Sequence, residues 1–212
     1  MYTPPAFRDD EKESLHETIR AARLANFITA TVSGPLATPL PLFLDASEGE
    51  HGVIYGHLAK ANPQWQVPSM GDALAIFMGP DAYVTPQWYA TKQETGKVVP
   101  TWNYVTVHAS GPVEFFDDPV RLLEAVRRLT DLHETDLHEA GRGIPWAVTD
   151  APKEFIEAQL RGIVGLRIPI TKLEGKRKMS QNRNAADRAG VAAGLNASTR
   201  TSDHEAADLI PS

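Results

Sequence analysis

Sixteen prolines and fifteen glycines cut this 212-residue chain into short runs. Proline lacks a backbone donor and glycine loses most entropy on ordering, so neither sits well inside a long helix. Most of them fall between β-like runs, which points to many short strands rather than a helical bundle. The strand candidates are residues 26–32, 36–44, 52–59, 73–78, 82–86, 98–108, 113–116 and 163–173. Pro39 and Pro41 argue for an edge or a bulge in the second run. The run 73–78 (ALAIFM) is apolar on both faces and reads as a buried strand. Residues 113–116 are expected to pair with 98–108 after Gly111-Pro112.

Helical spacing predicts helices over 11–24, 118–134, 153–160 and 184–195. Asp9 and Asp10 can cap the first, and Asp118 caps the second with Pro119 at its first position and Leu122, Leu123, Val126 and Leu129 as its apolar stripe. Strands with helices inserted among them, not in strict alternation, favour a mainly β (α+β) fold. The expected architecture is an antiparallel barrel with flanking helices rather than a doubly wound parallel sheet. One domain over 1–197 and a loose polar tail over 198–212 complete the expected organisation.

Charge and composition narrow the function classes. Lysine plus arginine is 21 and aspartate plus glutamate is 27, a net charge of −6. Such a surface repels phosphate on average, so nucleic-acid binding requires a local basic patch. No cysteine is present, which excludes disulfides, thiolate metal sites and thiol nucleophiles. No apolar run approaches the roughly 18 residues of a membrane span. The start of the chain lacks a basic-then-apolar signal pattern, so a cytoplasmic location is expected. The sequence contains no GxxxxGK[ST], no GxGxxG after a strand, no GxSxG and no HExxH.

Four segments concentrate chemistry. In 55–65, a strand ends in a polar cluster with His57, Lys60, Asn62 and Gln64. Imidazole, ammonium and amides at a strand end suit an anionic ligand with a ring system; a plain surface turn is the alternative. The second segment, 79–89, carries Thr85 amid unusually many aromatics. In the third, 98–108, period two sets Val99, Thr101, Asn103, Val105 and Val107 on one face and Trp102, Tyr104 and His108 on the other. A ligand wall and an aromatic packing ladder compete there. The fourth, 172–183, is the dense basic stretch: a solvated run, a phosphate clamp or a DNA contact. His133 and His138 are five residues apart, about 140° around a helix, which is off the face that helical metal sites use.

Taken in order, GHLAKANPQW, GPDAYVTPQWY, GKVVPTWNYVTVH and LEGKRKMSQNR, after the opening MYTPPAF, resemble the PaiB-type negative transcriptional regulators of the FMN-binding split-barrel group. The resemblance runs from Met1 to about Leu195. It implies a split β-barrel homodimer with FMN at the subunit interface. It assigns His57 and Lys60 to the phosphate, and Asn62 and Gln64 to ribityl or turn-stabilising contacts. Thr85 joins the cofactor-binding candidates; Trp102 and Asn103 border the ring or the second subunit, and Gln181 reaches the flavin across the interface. No catalytic residue and no metal site are assigned. The sequence holds no convincing helix-turn-helix, so DNA is a weak expectation. An FMN-dependent oxidoreductase using NAD(P)H or another donor is the alternative function. Haem binding through His57 or His108 is a third.

Overall fold

The computed structural model describes residues 1–212. In chain order the elements are β1 (Arg8–Asp9), α1 (Lys12–Ala22), β2 (Leu24–Thr31), β3 (Gly34–Asp45), β4 (Val53–Ala59), β5 (Ala73–Val84), α2 (Ala90–Thr95), β6 (Thr101–Gly111), β7 (Glu114–Phe116), α3 (Pro119–Glu139), α4 (Lys153–Leu160), β8 (Ile163–Pro169), β9 (Lys172–Lys178), α5 (Ala185–Asn196) and α6 (Thr201–Asp208). The fold is mainly antiparallel sheet with flanking helices, as expected. Two compact units share the chain: Met1–Ala22 with Phe77–His108 and Glu174–Ser212, and Arg23–Ile76 with Ala109–Leu173.

In the second unit the strand order is β2-β3-β4-β8-β7, an open ladder. β2 and β3 form a hairpin from Leu24↔Pro41 to Thr31↔Gly34, and β3 then pairs with β4 from Leu42↔Gly56 to Asp45↔Val53. The prolines of β3 explain this division. Leu42 N–H donates to Arg23 O at 3.1 Å, so even residues of β3 point their donors at β2. Pro35, Pro39 and Pro41 have odd parity, so their missing N–H groups all face the side that carries no strand until Leu42. The core holds Ile54, Leu58, Leu166 and Ile168, all essentially fully buried. α3 begins where expected: Asp118 Oδ1 accepts from Val120 and Arg121 N–H, with Pro119 in the first turn. Its Leu122 and Ala125 pack with Phe116 and Leu160. Gly165 makes room for that packing, since a Cβ there would lie 2.3 Å from the Phe116 ring.

In the first unit the order is β1-β9-β6-β5. The odd face of β6 is buried at Val105 and Val107, as period two predicts; the burial also extends to Asn103, at the polar end of that face, and takes in Thr106 of the other face. Ala82 and Val84 of β5 form an apolar cluster with Tyr89, Val191, Leu195, Ala206 and Ala207, against which Trp88 packs.

Four expectations are corrected. Residues 73–78 and 82–86 belong to one strand, β5, whose buried positions switch from odd (73, 75, 77) to even (82, 84) across Gly79–Asp81. An inserted bulge residue does this, so Gly79-Pro80 redirects the strand instead of ending it. β7 pairs with β8, Phe115 opposite Leu166, and not with β6. A two-residue hairpin from β6 would need positive φ at Pro112 and Val113, which proline forbids and a β-branched residue resists. The run 163–173 divides into β8 and β9 around Ile170-Thr171. The expected polar tail contains α6, because Ala206 and Ala207 give its otherwise polar sequence a small apolar face that is buried against α5.

Candidate functional site

Four of the sequence candidates lie in the second unit, at the end of β4. His57 is half-buried on that strand, and its Nδ1 is buried without a hydrogen-bond partner. Burial holds the imidazole below its ordinary pKa of 6.5, so it is neutral at neutral pH and offers hydrogen bonding, not charge. Lys60 follows at the strand's end. Its backbone N–H donates to Gly162 O at 2.8 Å, which ties the turn to the α4–β8 connection. Its ammonium is 3.5 Å from the exposed carboxylate of Asp117.

Asn62 and Gln64 are held more tightly. Asn62 Oδ1 accepts from Gln64 N–H at 2.9 Å and caps the short 3-10 turn Pro63–Gln66. Asn62 Nδ2 donates to Thr38 Oγ1 at 3.0 Å, and Thr38 donates to Gln64 Oε1 at 2.6 Å. Gln64 Nε2 donates to Thr29 Oγ1 and Leu36 O. These amides stabilise the turn and fix the position of Lys60; Trp65 Nε1 donating to Lys60 O at 3.0 Å adds to it.

Beside Lys60 lies a cleft of about 400 Å³. Pro119, Leu122 and Leu160 give it apolar wall, and Lys60 and Arg161 give it two cations. Its two acids can be turned aside: Asp117 is 71% exposed, and Glu157 has Lys153 at 3.7 Å. Arg161 and this cleft were not legible in the sequence. Arg161 carries no motif; the β4–β8 pairing, which ends at Ala59↔Ile163, and the Lys60–Gly162 hydrogen bond bring it to the turn.

The remaining candidates lie in the first unit. Thr85 Oγ1 accepts from Gln87 N–H and caps the 3-10 turn Pro86–Trp88. Trp102 is 49% exposed and meets Tyr83, itself 45% exposed, edge to face at 5.8 Å. Asn103 is fully buried, exchanging hydrogen bonds with Ser180 at 3.1 and 3.2 Å. Gln181 bridges its own turn: Oε1 accepts from Met179 N–H and Nε2 donates to Arg177 O. Ser180 between them has φ of +60°, a strained value for a non-glycine residue that the Asn103 pair holds in place.

The basic stretch is engaged with its own unit. Lys176 lies 5.2 Å from the Tyr104 ring, Arg177 bonds Ser14 and faces Asp9 at 3.5 Å, and Lys178 donates to Thr101 Oγ1 and Trp102 O. Arg183 sits 4.5 Å over Tyr89. Burial, then the charges of Lys176 and Arg183, lower the pKa of Lys178. No group of three or more His, Asp or Glu residues is placed to hold a metal ion.

The groups at the Lys60 cleft fit FMN: two cations suit a phosphate and an apolar wall suits a planar ring, while the unpartnered His57 nitrogen lies three residues earlier on β4 and outside the cleft lining. The fold, an open antiparallel sheet with flanking helices, is of the split-barrel-like class. Comparison with known proteins agrees. The family described as "Putative FMN-binding domain" matches residues 1–172. The chain belongs to that family, and FMN is its cofactor. It is 32% identical over 188 residues to the Bacillus subtilis "Protease synthase and sporulation protein PAI 2", covering 88% of this chain and 85% of that one, so the PaiB-type resemblance holds. An uncharacterised Emericella nidulans protein is 32% identical over 229 residues, covering 92% and 90%. Among solved structures, an FAD- and haem-binding protein of Mycobacterium smegmatis matches at TM-score 0.58 and 15% identity, covering 88% of this chain and 80% of that one. The flavocytochrome Anf3 of Azotobacter vinelandii matches at TM-score 0.56 and 16% identity, covering 86% and 75%. No helix of the chain is long and apolar enough to cross a membrane.

Proposed function

We propose that this protein holds FMN at the Lys60 corner and acts, as a homodimer, as a negative regulator of transcription. The observation that carries the regulatory reading is the near-full-length similarity to the Bacillus subtilis protein. At the corner, Lys60 and Arg161 bind the phosphate and neutral His57 contributes a hydrogen bond, while Leu122 and Leu160 exclude water from the adjoining wall. Bound FMN supplies one- or two-electron redox chemistry. The exposed Met78, Tyr83, Val99 and Trp102 of the first unit support a face covered by a second copy.

The physical constraints on DNA contact are specific. Lys176, Arg177, Lys178 and Arg183 already have protein partners, and the net charge is −6. α5 and α6 are joined by a short turn, but α6 carries Asp203, Glu205 and Asp208 and is no recognition helix. Binding to DNA is therefore expected to be weak and steeply salt-dependent. A gel shift with the DNA upstream of its own gene, with and without FMN across a salt series, tests the reading. A shift that salt abolishes supports it. No shift at low salt, together with substantial NAD(P)H-dependent bleaching of bound FMN, assigns the protein to flavin oxidoreductases instead.

A further inference from the structure

A second cleft, of about 360 Å³, lies in the second unit between α3 and the sheet. Its floor is a transverse row of cross-strand neighbours, Phe43 on β3, Tyr55 on β4 and Arg167 on β8; Glu114 of β7 continues the row beyond the cleft. Its roof is a helical stripe spaced i, i+3, i+4, i+7, namely Arg121, Glu124, Ala125 and Arg128. A stripe facing a sheet is normally apolar, and Leu122, Ala125 and Leu129 of the same helix are buried. At this end guanidinium groups replace aliphatic side chains and leave a cleft where a core would be.

The aromatic and cationic groups are organised. Phe43 and Tyr55 stack at 5.5 Å with 17° between their planes. Arg128 lies 4.8 Å over Phe43, and Arg121 lies 4.0 Å over Phe116, which also lines the cleft. Arg128 bonds Asp45 at 2.6 Å, Arg121 bonds Glu114 at 2.7 Å, and Arg167 bonds Glu48 and Tyr55 at 3.0 Å each. Each guanidinium has five N–H donors, and these contacts occupy only part of each set. The acids that line the cleft do not oppose an incoming anion strongly. Glu48 is neutralised by Arg167 and accepts from Tyr55 at 2.7 Å, and Glu124 is paired with Arg127.

We propose that this cleft binds a single-ring aromatic carboxylate, its ring among Phe43, Tyr55 and Phe116 and its carboxylate on Arg121 and Arg128. Planar guanidinium groups match a carboxylate bidentately, and aromatic walls match a flat ring. The volume is at the low end for small-molecule pockets, which suits one ring. The site is separate from the Lys60 corner, so a failure to bind FMN would leave it standing.

Anthranilate is the probe, followed by its fluorescence anisotropy with the full-length protein, and anthranilamide is its uncharged counterpart. Anthranilate is expected to saturate, with the amide at least about tenfold weaker because the charge-assisted pairs are lost. Arg128→Ala is expected to weaken anthranilate by about tenfold. Arg121→Gln changes a half-exposed residue and is the variant that decides if Arg128→Ala does not fold. Saturating FMN is expected to leave anthranilate bound. Absence of saturable binding, equal affinity for acid and amide, no effect of Arg121→Gln, or displacement by FMN would each overturn the proposal.

Discussion

At the proposed flavin corner Lys60 and Arg161 supply the positive charge, and the Lys60 ammonium is held by nothing closer than the exposed Asp117 at 3.5 Å. Replacing it with alanine is therefore expected to cost little stability and to weaken FMN by about tenfold or more, with little effect on riboflavin, which lacks the phosphate. Parallel fluorescence titrations check this; equal losses for both flavins would remove Lys60 from the phosphate. His57 gives a different signature. Burial lowers its pKa in the folded chain, so below the ordinary value of 6.5 the unfolded state takes up a proton that the folded state refuses. Stability is thus unaffected by this group above that value and falls as pH drops beneath it, until the folded-state pKa is reached. Urea unfolding of the wild type and His57→Gln between about pH 8 and pH 5 reads this as a flatter pH dependence in the variant. Identical profiles would show that the imidazole is not desolvated.

At the scale of elements, local chemistry was legible and distant pairing was not. Asp118-Pro119 announced the start of α3, and alternation identified the buried face of β6 through Val105 and Val107. What eluded the sequence was partner choice: β7 goes to β8, and β5 continues through Gly79-Pro80 by switching its buried parity. Both depend on contacts remote in the chain, which period and propensity do not encode. The candidate site divides in the same way. Lys60 is recognisable as a cation at a strand end, whereas Arg161 reaches the same cleft only through a turn about a hundred residues later. Asn62 and Gln64 have the donors and acceptors of ligand residues, and only the structure reveals Thr29, Leu36 and Thr38 as their partners. α5 offers a test at this scale. Alanine is the better helix former than glycine by about 1 kcal/mol, so Gly190→Ala would stabilise an isolated helix. In the protein a Cβ at Gly190 would meet the Trp88 carbonyl oxygen at 2.0 Å. A backbone atom cannot move aside cheaply, so the clash wins and a net loss of about 1–2 kcal/mol is expected in urea unfolding. A gain would mean that Trp88 does not pack on α5.

For the molecule as a whole, a chain without cysteine has no thiol redox chemistry of its own, and family membership identifies its cofactor as FMN. A homodimer is expected, with the face around Tyr83 and Trp102 covered, and light scattering after gel filtration reads it directly; a clean monomer would contradict that face. The central claim is that the cationic corner after β4 selects a phosphorylated flavin. Equilibrium dialysis of the full-length protein against FMN and riboflavin, side by side, tests it most directly. The prediction is retention of about one FMN per chain, with riboflavin bound at least about tenfold more weakly. Failure to retain FMN, or equal retention of the two flavins, would contradict it.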